Sequence, residues 1–503
     1  MSLGYVTMTP FVIPTPRQLG ALRVKGLLSW ENDCVLGSQA TQEEASLKVH
    51  RSRSVRRVEV TTDGRNLVSH AGTALLCELA DRTGLTRAMS VAMADCGISW
   101  HTHDPGVVLT HLAVAIADGG DCLSDFETLR SRSDLFGDVA SISTAWRAVK
   151  ATASLELRQI PRAVAGAREI VWAVAPPGGI TIDFDATLID VHSEKQDAAP
   201  TYKHGYGFHP LGAWCDTTGE PLGAILRPGN AGSNDADDHL ELLDQTIASL
   251  PVEYQVGHQP GDEPGLVRHH IVVRADSAGA THDFVSGLTE ANIEYSIGHP
   301  VDQGVRQALL SFQEEDWVEA LEADGTDRDG AWVAELTDLM DLSTWGEDAR
   351  LICRREHPHP GAQLSLFDTS EGFRHTCFIT NASALEIDAA ALECRHRGHA
   401  RVEDRVRCWK DCGLKNLPFA SFTQNLAWVA ISLIAGVLLA WAQMICLDGA
   451  LKVAEPKTLR YRLLHIGALL ARHGRRLILR LDETWPWAGA LRRAFLRLRA
   501  AFP

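Results

Sequence analysis

A chain of 503 residues, 45% hydrophobic and 22% charged, has an ordinary globular composition and room for about three domains, which sets aside disordered and fibrous classes. The formal net charge of −16 argues against a nucleic-acid partner only until it is mapped along the chain. Residues 391–503 hold 19 Lys+Arg against 8 Asp+Glu, a local +11 that leaves −27 on the rest. That polarity suits a protein with one end against phosphate and an acidic body turned away from it; the plainer reading is a solvated basic tail.

Residues 1–64 read as a basic arm, partly disordered or folding on DNA, with prolines at 10, 14 and 16 and a basic run at 48–57. The stretch 1–16 lacks a charged start followed by an apolar core, and the eleven cysteines are irregularly spread. A reduced cytoplasm with free thiols is the expected compartment.

Residues 65–170 read as a helical DNA-binding region. Apolar residues recur at helical spacing over 71–83, with Gly84 as the stop, and again over 107–117. Residues 125–150 resemble a short helix, a turn and a second helix capped by Ser141 or Ser143. That second helix suits a major groove, or is one half of an ordinary helical hairpin.

Residues 171–288 alternate strand and turn. In Ile-Thr-Ile-Asp-Phe-Asp at 180–185, Ile180, Ile182 and Phe184 point one way and Thr181, Asp183 and Asp185 the other. A hairpin-like segment at 207–226 turns near Thr217-Thr-Gly219. Residues 235–250 form a helix capped by Asn234 or Asp235, and the β-branched run 271–273 is a buried strand. A β-rich insertion follows at 289–385, with strands at 349–355 and 374–381 around His357-Pro-His-Pro-Gly361. Residues 386–450 return to helix, and 451–503 form a basic helical C-terminal region. The apolar run 426–447 is long enough to span a membrane. As the sole such run, interrupted by Ser432 and Gln443, it reads instead as a central core helix, and no membrane partner is expected.

Three carboxylates stand in contexts suited to a metal ion. Asp185 ends one strand, Asp276 ends Ile-Val-Val-Arg-Ala-Asp at 271–276, and Glu403 opens an amphipathic helix. On that helix Glu403, Arg407 and Lys410 share one face, and Val402, Val406 and Trp409 another. Brought together, the three acids make a hard oxygen site for Mg²⁺ or Mn²⁺, and a pair of such ions is suited to phosphodiester chemistry. Taken alone, the Glu403 helix is equally a solvated helix with a Glu–Arg pair.

Taken together the segments resemble a DDE transposase of a bacterial insertion sequence. Glu403-x₆-Lys410 matches that family's third motif, a glutamate followed seven positions later by a basic residue. Ile271-Val-Val-Arg-Ala-Asp-Ser277 resembles its second motif. Asp183-Phe-Asp-Ala-Thr-Leu-Ile-Asp-Val-His-Ser-Glu-Lys195, followed by Tyr202-Lys-His-Gly-Tyr-Gly-Phe-His-Pro210, resembles the first motif of the group numbered thirteen-eighty. The likeness runs from about residue 65 to 445. It implies an α/β fold: an RNase H-like mixed sheet with flanking helices, interrupted by the β-rich insertion and preceded by the N-terminal helical DNA-binding region.

The resemblance also implies metal-dependent DNA strand cleavage and strand transfer that mobilise the chain's own insertion sequence. Asp185, Asp276 and Glu403 would be the catalytic metal ligands. Asp183 is an alternative or additional ligand, although the form Asp185-Ala-Thr187 favours Asp185. Two ions, Mg²⁺ or Mn²⁺, are implied. Lys410, Arg407, Arg401, Arg397 and Lys203 would contact DNA, the partners being the element's terminal inverted repeats and target DNA, with a homodimer in the synaptic complex. One departure stands out: related third motifs carry a tyrosine and an arginine where this chain has His396 and His399, so Arg397 and Arg401 are expected to supply those phosphate contacts. Trp332 or Trp345 of the insertion is a candidate to stack on a displaced base, or is simply core.

Three competing readings remain. His101-x-His103-Asp104, completed by His204 and Asp276, would seed a metallohydrolase. Cys394, His396, His399, Cys408 and Cys412 would form a zinc cluster, at spacing that matches no standard finger. A non-catalytic DNA-binding regulator would explain the basic ends but not the strand-borne acids.

Overall fold

The computed structural model describes residues 60–503 apart from 95, 97–101, 153–158, 192–193, 359–360, 362–363 and 475. The basic arm expected at 1–64 therefore lies outside the described residues except for its last five. Among the described residues, nine strands build one mixed sheet. In chain order they are β1 (Ile180–Ala186), β2 (Leu211–Cys215), β3 (Pro221–Ile225), β4 (Ile271–Ala275), β5 (Glu294–His299), β6 (Val318–Leu321), β7 (Asp327–Glu335), β8 (Arg350–Glu356) and β9 (Arg374–Thr380). Across the sheet the order is β6-β7-β8-β9-β5-β4-β1-β2-β3. β1, β4 and β5 run parallel to one another, and every other pairing is antiparallel. The strands of 318–380 extend the central sheet through the pairing of β9 with β5.

The alternation read in β1 is present: Ile180, Ile182 and Phe184 are buried. Phe184 stacks toward His239 at 6.4 Å and packs on Phe284 at 5.8 Å. These rings come from the two crossover helices that parallel strands require. One helix, Ala236–Ala248, is capped by Asp235, and the other, His282–Glu290, by Thr281. The turn from β2 to β3 uses Gly219 at φ 73°, a left-handed conformation that glycine adopts without strain.

Helices α1 (Ala74–Arg82), α2 (Leu85–Ala92), α3 (Pro105–Ala117), α4 (Ile142–Thr152) and α5 (Gln159–Val174) precede the sheet. Ser141 caps α4, its Oγ accepting from the Thr144 amide at 3.2 Å. Ala145, Ala148 and Val149 of α4 are buried, and Trp146 is exposed on its other side. After the sheet come α6 (Ala389–Arg397), α7 (Val402–Trp409), α8 (Phe422–Trp441) and α9 (Ala488–Ala501). The apolar segment becomes α8, part of the one stretch among the described residues (Phe422–Cys446) that is long and apolar enough to cross a membrane. Here it packs against α3, α4, α5 and β3, with Trp428, Ile431, Ala435, Leu438 and Trp441 buried. Its Ser432 hydroxyl accepts from Trp409 Nε1 at 2.9 Å.

The C-terminal region departs from the helical expectation. Ala468–His473 (β10) and Arg476–Leu481 (β11) form an antiparallel hairpin, and Leu67–Val68 pairs onto β10. Leu and Arg favour helix locally, but burial of Ala468 and Leu470 and the turn at Gly474 (φ 59°) give strands instead.

One buried ion pair ties the helices to the sheet. Glu220, fully buried ahead of β3, accepts from Arg168 Nε at 2.7 Å, Trp172 Nε1 at 2.7 Å and Trp441 Nε1 at 2.7 Å. Arg168 also donates to the carbonyls of Ser249 and Pro221. Such a pair is costly to break because the surviving partner is left charged in the core. Arg168→Met is expected to lose about 3–5 kcal/mol in urea denaturation. Adding Glu220→Gln should recover part of that loss, since no carboxylate is then stranded; a double variant no more stable than the single one would count against this account.

Candidate active site

The register of two parallel strands creates the site. Asp183 pairs with Arg274 and Phe184 with Ala275, so Asp185 and Asp276 stand next to each other at the carboxyl ends of β1 and β4. Alternation directs Asp183 and Asp185 away from Phe184, toward the side covered by α7. Helix α7 packs on β1 and β2, and Trp409 meets Trp214 edge-on at 5.6 Å. As its pattern predicts, Val402, Val406 and Trp409 are buried and Glu403 is exposed.

Asp185 senses both other acids. Burial first, and then the charges of Asp276 and Glu403, push its carboxyl up to about 6 against the pull of His399. Asp185 Oδ1 accepts from the Ala186 amide at 2.8 Å, and Asp276 Oδ1 from the Ala278 amide at 2.9 Å, so each carboxylate keeps an oxygen free of these bonds. Among the described residues, neither Asp276 nor Glu403 forms an ion pair. Three oxygen donors that crowd negative charge and form no ion pair among the described residues fit a hard divalent cation. The trio is more open than two other groups, His70–Asp118–His465 and Asp121–Cys122–Asp125, whose ligand atoms all lie within 4.8 Å of one another.

Asp183 is differently placed from Asp185, two residues away on the same face. Arg274 Nε donates to its Oδ1 at 2.7 Å and Arg274 Nη2 to its Oδ2 at 2.8 Å, and His399 Nδ1 lies 2.8 Å from Oδ1. Both Asp183 oxygens are thus held by a buried guanidinium, unlike those of Asp185. Arg274 also donates to Asp216 Oδ2 at 2.9 Å and to the Arg395 carbonyl at 2.5 Å. Neither Arg274 nor Asp216 was singled out from the sequence. The signal was there: an arginine inside the apolar strand Ile-Val-Val-Arg-Ala must find carboxylates when buried.

The expected DNA-contacting cations divide. Lys410 is half-buried; burial and then Lys203 lower its pKa against the pull of Asp185 and Asp190, so its ammonium group lies within electrostatic reach of Asp185. Lys203 is exposed over the Tyr202 ring at 5.5 Å. Arg407 instead pairs with Asp404 and Glu455, each at 2.8 Å. Arg401 Nε donates to Asp216 at 2.9 Å, and Arg397 to Glu393 at 2.6 Å and to the Leu321 carbonyl. Arg397 and Arg401, expected to replace missing phosphate contacts, are thus engaged with carboxylates of their own chain. His396 is half-buried and neutral: it lies flat on Phe378 at 4.2 Å, and burial pushes its pKa down to about 3.

The remaining candidates are used structurally. Asp104 caps α3, accepting from the Val107 amide at 3.0 Å and from Ser90 at 2.8 Å, while His101 lies outside the described residues. His396 bonds Ser296 at 2.8 Å and Cys412 is buried near Arg460, so the proposed zinc set is dispersed among other partners. Trp332 packs on Phe373 and Arg355, and Trp345 on His282 and His299.

The family model described as transposase DDE domain group 1 matches residues 50–502. The chain is also similar to the piggyBac transposase in a cryo-EM structure of its synaptic complex with hairpin DNA, at 9% identity and a TM-score of 0.38, over 80% of this chain and 81% of that one. No curated protein matches.

The raised carboxyl of Asp185 has a defined consequence for stability. Its folded pKa of about 6 lies above the ordinary 3.8, so the ionised form is disfavoured by the fold. Stability of the metal-free chain then falls as pH rises from about 4 to about 6, and the deficit persists above. Asp185→Asn should stabilise the chelator-treated chain at about pH 8 by up to about 3 kcal/mol, with the gain vanishing near pH 4. Equal effects in urea denaturation at both pH values would contradict the assignment.

Proposed function

We propose that this chain, which belongs to the transposase DDE domain group 1 family, cleaves DNA strands at the ends of its own insertion sequence and joins the freed ends to target DNA. The observation that supports this reading is the β1–β4 register, which sets Asp185 next to Asp276 with Glu403 close enough to act on Asp185 by charge. In it Asp185, Asp276 and Glu403 hold divalent metal, which the family generally uses and which we take to be two Mg²⁺ or Mn²⁺ ions. When bound, such ions would supply an activated water and stabilise the leaving 3′ oxygen.

The chain's own residues then have distinct tasks. The three carboxylates fix where the reacting phosphate sits. Lys410, beside Asp185, donates to a non-bridging phosphate oxygen, and Lys203 lies on the approach. The freed 3′-hydroxyl attacks target DNA in the same site, so no covalent enzyme intermediate and no Ser or Cys nucleophile are required. Arg274 keeps Asp183 and Asp216 neutralised, which leaves Asp185 as the metal-facing acid of β1.

Finer features belong to the same reading. The strand order β5-β4-β1-β2-β3, parallel on one side of β1 and antiparallel on the other, is compatible with an RNase H-like core. Residues 65–170 would serve as a DNA-binding region, 1–64 as an arm, and 289–385 as an insertion. The element is taken to belong to the group numbered thirteen-eighty in bacteria, with the protein acting as a homodimer on terminal inverted repeats in the nucleoid.

Asp185→Asn, Asp276→Asn and Glu403→Gln are each expected to bring strand cleavage of labelled element-end DNA below detection in Mg²⁺ while leaving mobility-shift binding intact. Full cleavage by any one of the three would remove that residue from the active site.

A further inference from the structure

The C-terminal hairpin presents positive charge that the strand-cleaving reading does not use. Cross-strand pairs share a face, so Leu469–Arg480, Ala471–Ile478 and His473–Arg476 lie together, and Ala468–Leu481 and Leu470–Leu479 lie on the reverse. Ala468 and Leu470 are buried, which turns the reverse face toward the protein and the first face, with Arg476 and Arg480, toward solvent. Arg472 is exposed next to the turn. Beside the hairpin is a groove of about 1060 Å³ whose lining includes Arg132, Lys457, Arg480, Tyr461 and Trp485. Tyr461 is 62% exposed and meets Trp485 edge-on at 5.5 Å.

Several arginines elsewhere in the chain are held by carboxylates. Arg168, Arg274, Arg350 and Arg401 are each committed to a carboxylate. Among the described residues, Arg132, Arg472, Arg476 and Arg480 form no ion pair. Asp482, the acid in the groove wall, accepts instead from the Thr484 amide at 2.9 Å and hydroxyl at 2.7 Å. Among the described residues the outer edge of β11 pairs with no strand, so that side of the hairpin carries no further ladder. In a chain of net charge −16, guanidinium groups without ion pairs gathered on one hairpin and its groove suit an anionic partner.

We propose that the β10–β11 ribbon and its groove form a second DNA surface, which grips backbone phosphates of duplex DNA and shares no lining residue with the carboxylate site. The proposal rests on the transposase reading above for the identity of the anion. Beyond Leu469, where Leu67–Val68 no longer pairs with it, the hairpin has two strands and is narrow enough to lie along a duplex groove; Arg476 and Arg480 stand about 13 Å apart on the strand, so both reach phosphates of one duplex.

The test uses the full chain in chelator with a labelled random-sequence duplex, its affinity followed against salt. Each lost phosphate contact makes the slope of log affinity on log salt shallower by about 0.9. Arg476→Ala with Arg480→Ala is expected to reduce the slope by about 1.8, and Arg476→Lys with Arg480→Lys to keep it. Both sites are exposed, and an unchanged melting temperature confirms that the fold is intact. An unchanged slope in the alanine pair overturns the proposal and leaves the arginines as protection of an open strand edge. Loss of binding to anionic phospholipid vesicles with an unchanged DNA slope overturns it in favour of a lipid surface. Asp276→Asn in a parallel cleavage assay separates the two readings: cleavage by that variant sinks the catalytic assignment without touching the ribbon.

Discussion

The buried guanidinium of Arg274 is the constraint on which the site depends. It bonds Asp183 on β1, Asp216 beyond β2 and the Arg395 carbonyl near the end of α6. Asp183 in turn holds His399, and Asp216 holds Arg401. All of these bonds converge on residues 395–401, the segment that delivers Glu403 to the strand ends. Apolar packing of Val402, Val406 and Trp409 keeps α7 on the sheet but is non-directional. Directional bonds from Arg274 fix its position along the strands. The approach is close enough that a Cβ at Gly398 would lie 2.6 Å from Arg274 Nη1. Removing the arginine would strand two carboxylates in low dielectric, a situation the fold cannot relieve by solvation.

The same arrangement explains how β1 carries two aspartates of opposite character. Asp183 lies deeper, and its charge is met by a guanidinium. Asp185, one pleat further toward the strand end, is half-buried beside Asp276 and Glu403, and burial together with their charges raises its pKa. An acid with a raised pKa beside two more acids is poorly satisfied until a cation arrives. The sheet behind it is braced by the Glu220 cluster, which locks α5 and α8 to β3 by neutralised, hydrogen-bonded charge.

What the sequence made legible was what depends on local periodicity. The alternation of β1, the apolar run of β4 and the two-faced pattern of α7 each declare which side chains turn inward, and they do so in the structure. The apolar run of α8 was ambiguous because a membrane span and a fully enclosed core helix share one composition; Ser432, bonded to Trp409, sits as it would in a core. Pairings across distance were not legible. Arg274 and Asp183 are 91 residues apart, and nothing local in either segment names the other. The hairpin at 468–481 was hidden for a related reason: its residues favour helix, and strand formation depends on burying Ala468 and Leu470.

The charge map shows why counting along a segment misleads. Residues 391–503 carry +11, which suggests that any basic residue there is available to phosphate. Availability is decided by partners. Arg397, Arg401 and Arg407 surround Glu403 in sequence, yet each is held by a carboxylate of the same chain. A phosphate would have to displace that carboxylate, and the displaced acid would then repel it. Lys410 and Lys203 escape this competition near the acids, as do the arginines of the β10–β11 ribbon at the other end of the segment. The positive charge free to meet DNA is therefore smaller than the sequence total, and it includes Lys410 within electrostatic reach of Asp185 and the arginines of the hairpin.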